Sequence, residues 1–109
     1  MRTLERIAIS DPNIQTAQEL AQICLGLCEQ PITVNTSIDL LRVCEKESID
    51  LVLWSSDLDA ASGRNFIKEL KKRTPNGVIF ATYRELSIAQ LSRLSRTGVD
   101  DLLPQPVDK

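Results

Sequence analysis

The run Leu51-Val52-Leu53-Trp54 constrains the fold more than any other stretch of this chain. A short apolar run that follows Asp50 and gives way to Ser55-Ser56-Asp57 reads as a strand buried on both faces, the habit of parallel sheets. Parallel neighbours cannot be joined by a tight hairpin; they need long, right-handed crossovers, so the chain must alternate strands with helices. The C-terminal end of such a strand opens on the crevice where open α/β sheets place ligands and chemistry.

The rest of the chain supplies that alternation. Arg6 to Ser10 is a first strand candidate, and Asp11-Pro12-Asn13 is a turn-and-cap cluster. Ile14, Ala17, Leu20, Ala21, Cys24 and Leu27 recur at helical spacing and predict a helix ending before Pro31. Ile32-Thr33-Val34 reads as strand two, and Ser37 as the cap of a helix with Leu40, Leu41 and Cys44 on its inner face. Asp50 to Trp54 is strand three, and after the loop around Ser62-Gly63 a third helix carries Phe66, Ile67 and Leu70 and closes at Thr74-Pro75-Asn76-Gly77. Val78 to Thr82 is strand four, Ile88, Leu91 and Leu94 line a fourth helix with Gly98 as its stop, and Leu102-Leu103 is strand five. The predicted fold is α/β: one domain over residues 1–109, with a doubly wound, five-stranded parallel sheet of flavodoxin-like layout. That layout ordinarily adds a helix after strand five. Its lack before Lys109 leads us to expect either a piece of a longer protein or a partner covering that face.

Composition narrows the chemistry. The chain has no histidine, which removes Ser-His and Cys-His nucleophile pairs and leaves no side chain that titrates near neutrality unperturbed; no enzyme activity is expected. Three cysteines, Cys24, Cys28 and Cys44, stand among helical apolar positions, and the four-residue step from Cys24 to Cys28 is helical stacking, not a C-x-x-C pair; core packing is expected, with no metal. A net charge of -2 gives no electrostatic case for nucleic acid or an anionic membrane, and the local cluster Lys68, Lys71, Lys72, Arg73 reads as a solvated helix face. No apolar run approaches a membrane span and no secretory leader is evident, so a cytoplasmic location is expected.

Several segments, taken together, resemble the receiver domain of bacterial response regulators (CheY-like). Asp50-Leu51-Val52-Leu53-Trp54-Ser55 resembles the family's D-L-V-L-L-D strand, and Gly63, eight residues beyond Ser55, matches a family glycine at that offset. Val78-Ile79-Phe80-Ala81-Thr82 is similar to the fourth strand, which ends in Thr or Ser. The most specific segment is Gly98-Val99-Asp100-Asp101-Leu102-Leu103-Pro104-Gln105-Pro106, similar to G-A-D-D-Y-L-x-K-P. The resemblance covers nearly the whole chain and implies a two-component signalling protein.

The departures fall on the chemical positions of that family. Its phosphorylated aspartate is replaced by Ser55, whose hydroxyl is not ionised near neutrality and has no base beside it. Aligning Pro12-Asn13-Ile14 with the common P-N-I sets Ile9 and Ser10 at the Mg²⁺-holding acid pair, with Asp11 one place later. The lysine that pairs with the phosphoryl group is Gln105, the switching aromatic of strand five is Leu102, and Thr82 survives. The resemblance therefore implies an atypical receiver, a pseudo-receiver with a degenerate pocket of Ser10, Asp11, Ser55, Thr82 and Gln105, no cofactor, and no aspartyl phosphorylation.

Asp11 is read first as a helix cap, with a divalent-ion site shared with Asp57 as the sharper alternative. Asp57 and Asp59 read as solvated loop carboxylates and secondarily as displaced acceptors; Ser55 and Ser56 read as locally hydrogen-bonded hydroxyls and secondarily as serine-kinase targets. Trp54 is core, or a filler of the old pocket. The resemblance implies an output surface on helix four and strand five, from Ile88 to Leu103. The candidate partner-binding residues there are Tyr83, Leu91, Arg93, Arg96 and Leu102, with Arg84 at the rim, for a signalling protein or a second copy. Two alternatives stand beside this reading: a receiver with a non-standard acceptor carboxylate, and a flavodoxin-like small-molecule binding module.

Overall fold

The structure is a computed structural model and describes residues 6–25, 31–55, 63–75, 77–83 and 87–105. Leu27, Cys28, Ser56, Asp57, Asp59, Ser62, Asn76, Arg84 and Pro106, all named above, lie outside the described residues. Nine elements alternate in chain order: β1 (Ile7–Ser10), α1 (Ile14–Cys24), β2 (Ile32–Val34), α2 (Ser37–Lys46), β3 (Leu51–Ser55), α3 (Gly63–Arg73), β4 (Val78–Tyr83), α4 (Ile88–Ser95) and β5 (Asp101–Pro104). The five strands form one sheet in the order β2-β1-β3-β4-β5, and every pair is parallel. The predicted doubly wound α/β fold is thus present, with four helices and no further one among the described residues. No helix of the described residues is long and apolar enough to cross a membrane.

Side-chain alternation along the strands divides the core in two. Ala8, Val52, Trp54, Ile79 and Ala81 face Leu40 and Cys44 of α2, Phe66, Ile67 and Leu70 of α3, and Leu94 of α4. Ile7, Ile9 and Leu53 face the other way, onto Ala17, Leu20 and Cys24 of α1, with Phe80 and Leu103 partly buried beside them. Leu51 to Trp54 therefore feeds both cores, which is why its sequence is continuously apolar rather than alternating.

Two helix starts differ from the expected ones. Asn13, not Asp11, caps α1, its Oδ1 accepting from the Thr16 N–H at 3.0 Å. Thr36, not Ser37, caps α2, its hydroxyl accepting from the Asp39 N–H at 3.1 Å. In both places two cap-type residues stand within two positions of each other, and composition alone does not choose between them. Ser87 and Gln90 cap α4 reciprocally. Ile14 and Ile88, expected on inner helix faces, are 63% and 88% exposed; each is the first residue of its helix.

The basic cluster of α3 is largely paired. Arg73 reaches Glu69 at 2.9 Å and Glu45 of α2 at 2.9 Å, Lys72 reaches Glu69 at 3.2 Å, and Lys71 lies 3.6 Å from Asp100. Hydrogen bonds from Arg73 and Lys72 hold the exposed Glu69 carboxyl below its usual range.

The segment that most resembles the receiver pattern has a mechanical explanation. Gly98 has φ +104°, a conformation costly for any residue with a Cβ. Two residues on, Asp100 clamps β4: its N–H donates to the Ile79 carbonyl at 2.7 Å, and its carboxylate accepts from the Ile79 N–H at 2.8 Å. Gly77 solves another close approach, since a Cβ there would stand 2.7 Å from the Ile49 carbonyl oxygen.

Two predictions follow from this packing. Gly77→Ala and Gly98→Ala are each expected to cost about 1–3 kcal/mol, read as a lower urea midpoint with an unchanged slope. Burial pushes the Cys44 thiol from 9.0 up to about 11, against a weaker pull from Arg73. The unfolded thiol ionises first, so the stability Cys44 contributes is complete below pH 9.0 and drains away towards pH 11. The gap between the urea midpoints of the native protein and Cys44→Ala should narrow across that range.

Candidate functional site

The C-terminal edge of the sheet collects the polar residues singled out from the sequence. Ser55 ends β3 and is 2% exposed; its register partner on β4 is Thr82, 1% exposed. Both follow the alternation of Leu53 and Phe80 and so lie on the α1 side of the sheet. Ser10 pairs with Trp54, and one step further brings Asp11 level with Ser55.

Asp11 is buried and fully engaged. Its backbone N–H donates to the Val34 carbonyl at 3.1 Å, and its own carbonyl accepts from the Asn35 side-chain amide at 2.9 Å. One carboxylate oxygen accepts from the Asn13 N–H at 2.8 Å; the other accepts from the Gln105 side-chain amide at 3.4 Å. Gln105 is held in place because its N–H donates to the Tyr83 carbonyl at 2.7 Å just past β5. Residues 94 apart in sequence thus meet across the sheet edge. Asp11 acts as the anchor of the β1–α1 turn, while Asn13 does the capping expected of it.

Asp11, Ser55, Thr82 and Gln105 come together at this edge. Ser10 does not turn towards them: it shares a face with Ala8 and Trp54, on the side of α2 and α3. Trp54 is likewise not a filler of the crevice. Its ring packs against Phe66, centroids 5.6 Å apart with a 31° tilt, in the core beneath α3. The Thr82 hydroxyl is buried without a hydrogen-bond partner, which leaves one donor and two lone pairs at the crevice floor.

The described crevice therefore offers a carboxylate, two hydroxyls and a neutral amide. Mg²⁺, implied by the family resemblance, does not fit this set. A hard dication wants several oxygen ligands, mostly anionic, in octahedral array. Asp11 is the one carboxylate among the described residues that end the strands, and both its oxygens already accept hydrogen bonds. Among the described residues no group of three His, Cys, Asp or Glu is placed to hold a metal ion.

The candidate partner residues occupy the opposite flank. Tyr83 and Leu102 are half-buried and pack against the α2–α3–α4 core, and Leu91 is half-buried on α4. Arg93 and Arg96 are exposed, and no ion pair among the described residues engages either. The residue that sequence reasoning missed is Asn35, which follows β2 and holds the Asp11 carbonyl; a lone Asn after a short strand carries no signal of that contact.

No family model and no curated protein matches the sequence. Solved structures do. A response regulator from Burkholderia pseudomallei, with a phosphorylated aspartic acid, calcium ion and citrate, superposes with a TM-score of 0.82 at 20% identity, covering 95% of this chain and 61% of that longer one. The chemotaxis response regulator CheY4 of Vibrio cholerae gives 0.80 at 16% identity, over 97% of this chain and 90% of its own. A CheY-like receiver domain protein from Methanospirillum hungatei gives 0.75 at 20% identity, over 97% and 85%. At these identities the likeness is one of backbone architecture: this chain has the receiver-domain fold of response regulators.

Proposed function

We propose that this chain is a cytoplasmic, receiver-like signalling module of a two-component-type pathway that carries no aspartyl phosphate and regulates through protein contacts. The observation that carries the reading is Ser55 at the tip of β3, in register with Thr82, where the fold's relatives would present an acceptor carboxylate. A neutral hydroxyl cannot be charged by a phosphodonor through the acyl-phosphate route. Asp11 is a poor replacement, because phosphorylating either oxygen would break the hydrogen bond to the Asn13 N–H or to Gln105. Gln105 keeps a donor at the place of the resembled lysine but brings no charge to a phosphoryl group.

The surface of α4 and β5 is the proposed contact face. Arg93 and Arg96 supply cations at its rim that no ion pair among the described residues engages, and Tyr83, Leu91 and Leu102 supply apolar area that is not fully covered. A signalling protein, or a second copy of the chain, would be held there. Charge reversal at Arg93 and Arg96 should weaken that association; sedimentation of the chain alone reads the case of a second copy.

The test of the chemistry is phosphorylation from a small donor. Treated with acetyl phosphate and Mg²⁺, the protein should show no gain in mass, and Ser55→Asp alone should stay unmodified because one new carboxylate does not complete a metal site. An amide-resolved titration with Mg²⁺ and then beryllium fluoride should leave Asp11, Ser55 and Thr82 unmoved. A phosphorylated carboxylate in the native protein, or saturable shifts spreading from Ser55 to Leu102, would overturn the proposal in favour of a receiver with an altered acceptor. Ligand-dependent gains in melting temperature with nucleotides or flavins would favour the small-molecule module.

A further inference from the structure

Four buried side-chain polar atoms among the described residues have no hydrogen-bond partner: Ser10 Oγ, Ser37 Oγ, Trp54 Nε1 and Thr82 Oγ1. Three of them belong to the α2–α3 side of the sheet. Ser10 and Trp54 are register partners at the ends of β1 and β3, each 1% exposed, and both lie on the face packed beneath α2 and α3. Ser10 also pairs with Val34, and three residues beyond Val34 the chain starts α2 with Ser37, whose helix lays Leu40 and Cys44 on this same face. Thr82 belongs to the other face and is not part of the group.

The chemistry of the three atoms is complementary to one small partner. The indole N–H only donates, while each hydroxyl both donates and accepts. A central acceptor that is also a donor satisfies all three at once. Trp54 stands in register between Ser10 on one side and Ala81 on the other, two of the smallest side chains in the sheet. Buried polar groups are costly to leave unmet, and internal waters typically make about three hydrogen bonds to such groups.

We infer that Ser10, Ser37 and Trp54 form a binding site for one internal water molecule, which ties the ends of β1 and β3 to the first turn of α2. The inference does not depend on the proposed function. It adds a structural joint directly below the crevice, one residue before Asp11 on β1 and one residue before Ser55 on β3.

Trp54 is the chain's single tryptophan, so one indole N–H resonance reports on the site. In the labelled protein that resonance should show a cross-peak at the water frequency in a water-selective NMR experiment. A water held by three groups keeps two partners when one serine is removed. The cross-peak should therefore persist in Ser10→Ala and in Ser37→Ala, and vanish only in the double variant. If it is absent from the native protein, the indole has no bound water and the inference fails. If it vanishes in Ser10→Ala or in Ser37→Ala alone, the indole donates directly to that hydroxyl, which also overturns it. The amide spectrum of each variant shows that its fold is retained before the cross-peak is scored.

Discussion

The pairing of β3 between β1 and β4 is the constraint on which the rest of the structure depends. A central parallel strand must be apolar on both faces and must end in register with its neighbours. Leu51 to Ser55 meets Ile7 to Ser10 on one side and Val78 to Thr82 on the other, with no slip across five consecutive positions towards β4. A one-residue slip would turn Trp54 away from Phe66 and expel Leu53 from the α1 core. It would also separate Ser55 from Thr82, so the same register that builds both cores assembles the crevice.

The crevice is held by bonds that close long loops. Asp11 is joined to Asn35 and to Gln105, and Asp100 is joined to Ile79 through both its backbone and its side chain. Each of these acids accepts from an N–H that strand or turn geometry would otherwise leave unmet, and removing such an acceptor costs about 1–3 kcal/mol for the stranded donor. Their role is thus architectural before it is chemical. In the segment from Gly98 to Gln105, the glycine allows the left-handed turn, Asp100 clamps β4 and Gln105 fastens Asp11.

The strands and helices were legible in the sequence because their signals were redundant. Each strand is an apolar run, each helix has its spaced inner face, and the order of elements leaves few topologies open. What was not legible was decided by single atoms. Whether Asp11 or Asn13 caps α1 depends on which carboxyl or amide oxygen reaches the Thr16 N–H, and the turn geometry at Pro12 settles it. Local alignment on Pro12-Asn13-Ile14 sets Ile9 and Ser10 at the acid-pair positions with Asp11 one place later, but side-chain alternation on β1 sends Ser10 to the α2 face and leaves Asp11 level with Ser55. Trp54 was readable as core yet equally as a plug for the crevice; only its strand parity distinguishes them.

Electrostatics gives the proposed loss of phosphorylation a reason beyond the missing acceptor. A phosphoryl group at the tip of β3 would add negative charge beside Asp11, which is level with that tip. Two unit charges of like sign about 6 Å apart at an effective dielectric near 20 oppose each other by about 3 kcal/mol. In a working site of this kind cations cancel such a term, one as metal and one as lysine. Here the position at the end of β5 holds Gln105, whose amide contributes a dipole already spent on Asp11. The balance therefore favours a crevice that stays uncharged at the tip of β3, with its strand ends fixed by hydrogen bonds. A partner can shift such a protein only by binding two of its conformations unequally. On the proposed α4–β5 contact face, the Gln105 N–H bond to the Tyr83 carbonyl would link such a difference to the crevice.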